Sequence, residues 1–293
     1  MRKITTLLLM ICTIVCLAND DLTSEELEYL KMLDSVQAHF KYQTGSLKLN
    51  SDLAVLNLPE GFTFLNKKEG EFVLEKLWGN PHSDIIGLMF PNGVSATSDT
   101  FSYAVEITYT EDGFVSDEDA KEIDYDDLLE QMKSDADLEN KDRLKNGYPS
   151  IELIGWATSP YYDDVHKKLH WAKELKFDGS DIHTLNYNVR VLGRKGYLNL
   201  NVIGDIDQLE TVNKDISKIL NSVHFSKGYT YKEFNPDIDE VAAYGIGGLI
   251  AGKILAKAGL FALLLKFWKI IAVGAVGAFG VFKKKLFGHK NED

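Results

Sequence analysis

Apolar and polar residues alternate along several stretches of this chain, the pattern of β-strands with one buried face. Residues 101–109 alternate in this way, with Tyr103, Val105 and Ile107 on one face. Residues 151–158 and 168–177 predict two more strands, and residues 183–192 and 197–204 predict two others that are joined by the turn Gly193-Arg194-Lys195-Gly196. Because short turns join successive strands, we expect an antiparallel sheet.

Helical spacing of apolar residues marks three other stretches. Residues 21–41 predict a short amphipathic helix, and Asp124 is a suitable cap for a second helix that ends near Asn146-Gly147. A third helix opens at Asp207, with Glu210 three residues later as in a capping box. Strands followed by helices in this order predict an α+β fold, an antiparallel sheet with helices packed against it.

The N-terminus has the pattern of a secretory signal peptide. Arg2 and Lys3 precede an uncharged run over residues 4–17, and we expect cleavage after Ala18. This assigns residues 1–18 to the signal peptide, with an uncleaved anchor as the alternative. Both cysteines lie inside this segment, so the processed chain has no thiol for a disulfide or a metal.

The C-terminal part is glycine-rich and apolar and predicts one membrane anchor. Residues 258–282 are long enough for a transmembrane helix, and residues 242–257 form a glycine-rich juxtamembrane segment before it. The basic residues Lys283, Lys284 and Lys285 favour a cytoplasmic tail over residues 283–293. The resulting topology is a single-pass protein of the cell membrane with its main domain, residues 19–241, outside the cytoplasm, in the periplasm if the cell has two membranes.

Four residues of this anchor need separate interpretation. Lys266 and Lys269 lie in the outer part of the helix, where long side chains can extend to the lipid headgroups. Gly248 and Gly252 have the spacing that lets two helices approach closely, so self-association through this segment is one possibility. The lipid bilayer is therefore an expected partner of the chain.

The main domain is strongly acidic. Residues 19–241 carry 22 Lys and Arg against 42 Asp and Glu, a net charge of −20. Such a charge repels nucleic acid and anionic lipid surfaces, so we expect no nucleic-acid partner. The domain is large enough for one core, or for two sub-domains over residues 45–147 and 148–235.

The polar face of the 183–204 hairpin is the candidate ligand site. Its side chains are amides, a guanidinium and an aromatic ring, which together can recognise a polar ligand such as a glycan or a peptide. The other interpretation is a face that is covered by another element or simply hydrated. The candidate residues are Asn186, Asn188, Arg190, Tyr197, Asn199 and Asn201.

Metal and catalytic motifs are weak in this chain. His166 and His170 have the spacing of a chelating pair on a helix, but on a strand four residues span roughly 13 Å. The aspartates between Asp117 and Asp127 lack the glycine that the sharp turn of a calcium loop requires. No Gly-x-Ser-x-Gly motif occurs. We therefore expect no metal, no cofactor and no catalytic residue.

Several short motifs lie between about residue 45 and the membrane segment. They are Trp78-Gly79-Asn80, Gly113 to Ala120, Gly155-Trp156-Ala157, Pro160 to Asp163, Trp171-Ala172-Lys173, Leu185 to Arg194, and Tyr244-Gly245 leading to Gly252-Lys253 and Lys257. With these motifs the chain resembles a bacterial family of membrane-anchored proteins known as domain of unknown function 2167. The resemblance implies an anchored topology and assigns no activity. At position 170 the chain has histidine where the family pattern leads us to expect an aromatic residue.

Three hypotheses for the function follow. The first is a non-enzymatic binding or assembly module of the cell envelope, held at the membrane by one helix. The second is an envelope hydrolase that uses a pair of carboxylates as acid and base. The third is a sensor that binds a ligand outside the cytoplasm. A pocket with converging carboxylates would favour the hydrolase, whereas a polar sheet face favours binding.

Overall fold

A computed structural model describes residues 24–98 and 101–252 of the chain. These residues form the α+β fold that the sequence predicts, with helices packed on antiparallel sheets. The helices are α1 (Ser24–Gln37), α2 (Lys67–Phe72), α3 (Tyr125–Lys145), α4 (Leu209–Ser222) and α5 (Ile246–Ala251). The strands are β1 (Ser46–Leu49), β2 (Ala54–Asn57), β3 (Thr63–Asn66), β4 (Gly87–Phe90), β5 (Tyr103–Thr110), β6 (Ile151–Asp163), β7 (Lys168–Phe177), β8 (Thr184–Leu192), β9 (Tyr197–Asp205) and β10 (Val223–Phe225).

Seven strands form the main sheet in the order β3-β4-β5-β9-β8-β7-β6, and all neighbours are antiparallel. A small second sheet has the order β1-β2-β10. Strand β5 pairs with β9 along its whole length, from Tyr103 opposite Gly204 to Thr110 opposite Tyr197. The main sheet therefore contains strands from both of the spans, 45–147 and 148–235, that were considered as sub-domains.

The strand predicted over residues 151–158 is longer in the structure, because β6 continues through Pro160 to Asp163. Strand β6 is at the edge of the sheet, where a proline does not interrupt a ladder on both sides. Its pairing with β7 shifts register between Thr158 and Tyr161, and these irregularities accommodate Pro160. The predicted cap at Asp124 is confirmed, since its carboxylate accepts hydrogen bonds from the backbone N–H groups of Asp126 and Asp127.

One face of the main sheet is largely apolar. Tyr187 and Val189 on β8 and Val105 on β5 are completely buried there. This face packs against Val212 and Ile219 of α4 and against the small sheet. The large area removed from water makes this cluster the main source of stability.

The opposite face carries two separate apolar clusters. One lies on β3, β4 and the start of β5, where Leu65, Leu88 and Ala104 pack against residues around α2. The other lies on β6 and β7, where Leu169 and Trp171 pack against α3 and α5. A strip of polar residues on β5, β9 and β8 separates the two clusters.

Residues 242–252 are built into this fold. Ala242, Ile246, Leu249 and Ile250 are buried in the cluster that contains Trp171. The carboxylate of Asp119 accepts hydrogen bonds from the N–H groups of Ile246 (2.9 Å) and Gly247 (3.1 Å), at the start of α5. This stretch of the predicted juxtamembrane segment therefore packs on protein.

Gly248 lies within α5 against the side chain of Tyr244, and Gly252 follows the end of the helix. No helix within residues 24–98 and 101–252 is long and apolar enough to cross a membrane. The signal peptide (1–18), residues 253–257, the transmembrane helix (258–282), the tail (283–293) and Lys266, Lys269, Lys283, Lys284 and Lys285 lie outside the described residues.

We expect Asp119→Ala to lower the free energy of unfolding by about 1 to 3 kcal/mol, because it leaves two N–H groups unpaired at the start of α5. The loss should be concentrated in residues 245–252, which hydrogen–deuterium exchange would show as faster exchange there than elsewhere. Asp137→Ala is the matched control, since Asp137 is exposed on α3. Unchanged exchange in residues 245–252 of the Asp119 variant would contradict this view of the contact.

Candidate ligand-binding site

The six candidate residues of the hairpin lie together on one face of the sheet. In the β8–β9 register, Asn188 is opposite Asn201, Arg190 is opposite Asn199, and Leu192 is opposite Tyr197. Strand β5 continues this surface, because Glu106 is opposite Asn201 and Thr108 is opposite Asn199. Strand β7 adds Lys173, which is opposite Asn186. We call this set the polar strip: Glu106, Thr108, Lys173, Asn186, Asn188, Arg190, Asn199 and Asn201.

A directed chain of hydrogen bonds runs across the polar strip. Arg190 Nη2 donates to Asn188 Oδ1 (3.3 Å), and Asn188 Nδ2 donates to Asn186 Oδ1 (2.8 Å). Asn186 Nδ2 donates to Asn201 Oδ1 (2.7 Å), and Asn201 Nδ2 donates to Glu106 Oε2 (3.4 Å). A guanidinium only donates and a carboxylate only accepts, so the two ends fix the orientation of each amide between them. The strip is therefore a preorganised polar surface.

Arg190 is held between two aromatic rings. Its guanidinium carbon lies 4.9 Å from the centroid of the Trp171 ring and 5.9 Å from that of Tyr197. The Tyr197 hydroxyl hydrogen-bonds to that of Tyr244, which also donates to Asp112. Cation–π contacts of this kind stabilise a guanidinium that has left bulk water. They also leave its N–H groups available for other partners.

Several polar atoms around Arg190 have no hydrogen-bond partner among the described residues. They are Arg190 Nε, Trp171 Nε1 and Asn199 Oδ1, and all three are buried. Asn199 uses its Nδ2 for Thr108 Oγ1 (2.9 Å), so only its carbonyl oxygen is unpaired. Buried polar groups are nearly always paired in folded proteins, so this concentration of unpaired groups sets the strip apart from the rest of the body.

Lys173 is a second cation in the strip. Burial lowers the pKa of Lys173 to about 8, and the nearby Arg190 adds to this effect, while Glu139 on α3 opposes it. Burial also lowers the pKa of Arg190 to about 10, so its guanidinium remains charged at neutral pH. Arg194 and Lys167, in contrast, form ion pairs with Asp239 and Asp117, each at 2.6 Å. Arg190 and Lys173 have no ion pair with any carboxylate of the described residues.

We expect Lys173→Met to raise the free energy of unfolding at pH 7 by about 1 to 3 kcal/mol, because a folded-state pKa of about 8 against 10.5 in the unfolded chain disfavours the charged amine. The unfolded state binds more protons between these two values, so the stability of the wild type should rise as the pH increases through them. Chemical denaturation from pH 7 to 10.5 would show this rise, and the variant should lack it. Lys176→Met, an exposed position on the same strand, is the control. Equal pH profiles for the wild type and Lys173→Met would contradict the prediction.

A cavity of about 550 Å³ lies away from the strip, where the end of β6 meets the segment before α3. Asp117 on its wall accepts hydrogen bonds from Tyr162 (2.6 Å), Lys167 (2.6 Å) and Tyr231 (3.1 Å). Burial alone would raise the pKa of Asp117, but these donors together hold it below its usual value. Asp117 therefore stays ionised at neutral pH and has no proton to donate. The other residues of the wall are Glu118, Ala120, Lys121, Tyr125, Pro160, Tyr161 and Asp164.

His166 and His170 occupy different surroundings. His166 lies in the turn before β7 and pairs with Asp163 (2.6 Å). The His170 ring lies nearly parallel to that of Tyr187, at 6.0 Å between centroids, and its Nδ1 is 3.0 Å from the Tyr187 hydroxyl. Burial lowers the pKa of His170, so it packs as a neutral ring, in keeping with the aromatic residue expected there. Among residues 24–98 and 101–252, no group of three or more His, Cys, Asp and Glu is placed to hold a metal ion.

The model of a family described as protein of unknown function DUF2167 matches residues 41–280. The chain belongs to this family. A search of the curated proteins finds no match. The solution structure of cyanobacterial PsbP (CyanoP) from Synechocystis is similar at 13% sequence identity and a TM-score of 0.36, over 63% of this chain and 92% of that chain. A likeness of this size does not establish a common fold.

The DUF2167 motifs meet at two places in the structure. The segment Gly113 to Ala120 binds residues 241–252, through the hydrogen bond of Asp119 to Ile246 and through the pairing of Phe114 with Val241. The segments Leu185 to Arg194 and Trp171-Ala172-Lys173 form the strip and the aromatic wall beside Arg190. Sequence reasoning found the β8 and β9 residues of the strip but missed Glu106, Thr108 and Lys173, and it did not place Trp171 beside Arg190. The signal for Lys173 was its position two residues after Trp171 on an alternating strand.

Proposed function

We propose that this protein is a non-enzymatic binding module of the cell envelope and that the polar strip is its binding surface. The observation that supports this most directly is the row of oriented amides between Glu106 and Arg190. Two cations on this face, Arg190 and Lys173, form no ion pair with a carboxylate of the described residues. A sheet face between two apolar clusters is normally covered or apolar, and polar groups there are costly unless they are paired. A partner that supplies the missing hydrogen bonds explains why such residues occupy this face.

The localisation in this proposal comes from the two ends of the sequence. The domain lies outside the cytoplasm, and residues 258–282 anchor it in the membrane. The net charge of −20 in residues 19–241 keeps the body away from anionic headgroups, so the strip is presented to envelope components above the membrane. A protease added to spheroplasts should degrade the main domain, residues 19–241, if this topology is right. Complete protection of this domain would contradict the topology.

A carboxylate-dependent hydrolase has less support. Glu106 is the one carboxylate of the polar strip, and its oxygens accept hydrogen bonds from Ser83 and Asn201. The cavity brings Asp117, Glu118 and Asp164 together, but acid–base catalysis needs one carboxyl that holds a proton at neutral pH. Asp117 cannot supply it, because its pKa is lowered.

Photo-crosslinking in intact cells tests the proposal. A photoreactive amino acid at Thr108, on the strip, should give one or a few discrete adducts. The control is the same amino acid at Lys214, an exposed position on α4 on the opposite side of the sheet. Adducts from Thr108 that are missing from Lys214 are the expected result. No adduct from Thr108, or the same adducts from both positions, would overturn the proposal.

A further inference from the structure

We infer that the Arg190 end of the polar strip binds a carboxylate group of the partner. This inference rests on the proposed function and names the chemistry that the strip recognises. Three observations carry it: the set of unused donors, the missing counter-charge and the composition of the surroundings.

The donors at this end exceed the acceptors. A guanidinium has five N–H groups, and Arg190 uses one on the Val189 carbonyl (3.2 Å) and one on Asn188 Oδ1 (3.3 Å). Its Nε is buried without a partner, and the N–H of Trp171 beside it is also unpaired. Lys173 lies opposite Asn186, near enough to Arg190 for the two charges to repel each other, and it also has no hydrogen-bond partner among the described residues. A ligand that satisfies this end must accept hydrogen bonds.

Arg190 and Lys173 contact no carboxylate of the described residues, although the domain is rich in carboxylates. Residues 19–241 contain 42 carboxylates, and other partly buried cations, such as Arg194 and Lys167, are paired with one. Glu106 lies at the far end of the chain of amides and reaches Arg190 through three asparagines. Lys168 is also buried without an ion pair among the described residues, but its amine donates to the Leu220 carbonyl. Arg190 and Lys173 lie near carboxylates, Glu106 and Glu139, without contacting them, so an anion from outside could make the direct pair that each cation lacks.

A carboxylate suits the geometry better than other anions do. The guanidinium carbon lies near the rings of both Trp171 and Tyr197, which leaves the edge of the guanidinium to bind a ligand. A planar carboxylate can accept two parallel N–H donors from such an edge. The amides of Asn186, Asn188, Asn199 and Asn201 then offer donors and acceptors for the neutral part of the ligand. Peptides with an acidic side chain and sugars with an acid group both have this combination.

Titration calorimetry on the full-length chain tests the inference with small probes. Glutarate, a dicarboxylate, should bind, while glutaramide, its uncharged diamide, should not. Arg190→Gln and Lys173→Met should each weaken glutarate binding about tenfold or more, which is the range for a lost charge-assisted hydrogen bond. Lys214→Met removes an exposed cation on the opposite side of the sheet and should leave the affinity unchanged. Melting curves check that each variant is folded. If Arg190→Gln does not fold, the result for Lys173→Met decides the test.

Each other outcome has a defined meaning. If glutarate and glutaramide bind equally, or if neither binds, the carboxylate inference fails. Inorganic phosphate that binds more tightly than glutarate and is lost in the same variants would also overturn it, in favour of a phosphate. Photo-crosslinking from Thr108 does not depend on charge, so discrete adducts together with no glutarate binding would leave the proposed function intact and remove only the ligand class.

Discussion

Gly196→Ala is expected to lower the free energy of unfolding by about 3 kcal/mol or more, from overpacking together with backbone strain. Gly196 adopts a φ of +153° in the β8–β9 turn, and an added Cβ would lie 1.9 Å from the carbonyl oxygen of Thr110. Neither the glycine nor β5 can move easily, because Gly193 N–H donates to the Gly196 carbonyl (2.8 Å) and β5 is paired along its whole length. Guanidinium denaturation would measure the loss.

Gly228→Ala is the matched control for this prediction. Gly228 has a φ of +93°, so alanine is strained there too, but nothing lies within 4 Å of its added Cβ. It should cost about 1 kcal/mol, the strain alone. Equal losses in the two variants would show that the contact with Thr110 does not determine the turn.

Trp171→Ala should cost about 3 to 5 kcal/mol of unfolding free energy, the range for removing a large aromatic side chain from a core. Trp171 is 1% exposed and packs in the cluster with Leu169, Ile246 and Ile250. The substitution also removes the ring whose centroid lies 4.9 Å from the Arg190 guanidinium carbon, so Arg190 loses this cation–π contact. The effect should therefore extend to ligand binding.

Denaturation measures the loss of stability, and the glutarate titration measures the loss of ligand binding. Denaturation of Trp171→Ala gives the loss of stability, with Leu138→Ala as the control, because Leu138 is 57% exposed on α3 and should change stability by less than about 0.5 kcal/mol. Trp171→Phe keeps an aromatic ring beside Arg190 and should recover part of both properties. A loss for Trp171→Ala as small as that for Leu138→Ala would contradict the packing described here.

The long strands of the sheet could be predicted from the sequence because their burial is one-sided. On β8, Leu185, Tyr187 and Val189 are buried on one face while Asn186 points to the other, and the alternation is visible in the sequence. Strand β4 was missed for the opposite reason. All four of its residues, Gly87–Phe90, are buried, so the segment has no polar face to mark its period.

Five of the eight residues of the polar strip could be found in the sequence, and the other three could not. Asn188 and Asn201 belong to one hairpin, so the turn between them fixes which residues face each other. Glu106 joins them through the β5–β9 pairing, a contact across more than 90 positions that no local pattern specifies. The buried surroundings of Lys173 depend on α3 and Arg190 in the same way.

The segment around Ile246 shows a second limit of sequence reasoning. Gly245, Gly248 and Leu249 have the composition of a membrane-interface segment, yet the structure places residues 242–252 against protein. Apolar residues pack equally well on a protein core and in lipid, so hydropathy does not distinguish the two. The difference here lies in Asp119, whose carboxylate binds the start of α5 from 127 positions away.

The most direct test of the strip as a binding surface is the acylation rate of the Lys173 amine in intact cell envelopes and in the purified full-length chain. Lys176, an exposed lysine on the same strand, is the internal reference. If a partner occupies the strip, the ratio of Lys173 to Lys176 labelling should be lower in envelopes than in the purified chain. The same ratio in both samples would contradict a partner bound at Arg190 and Lys173.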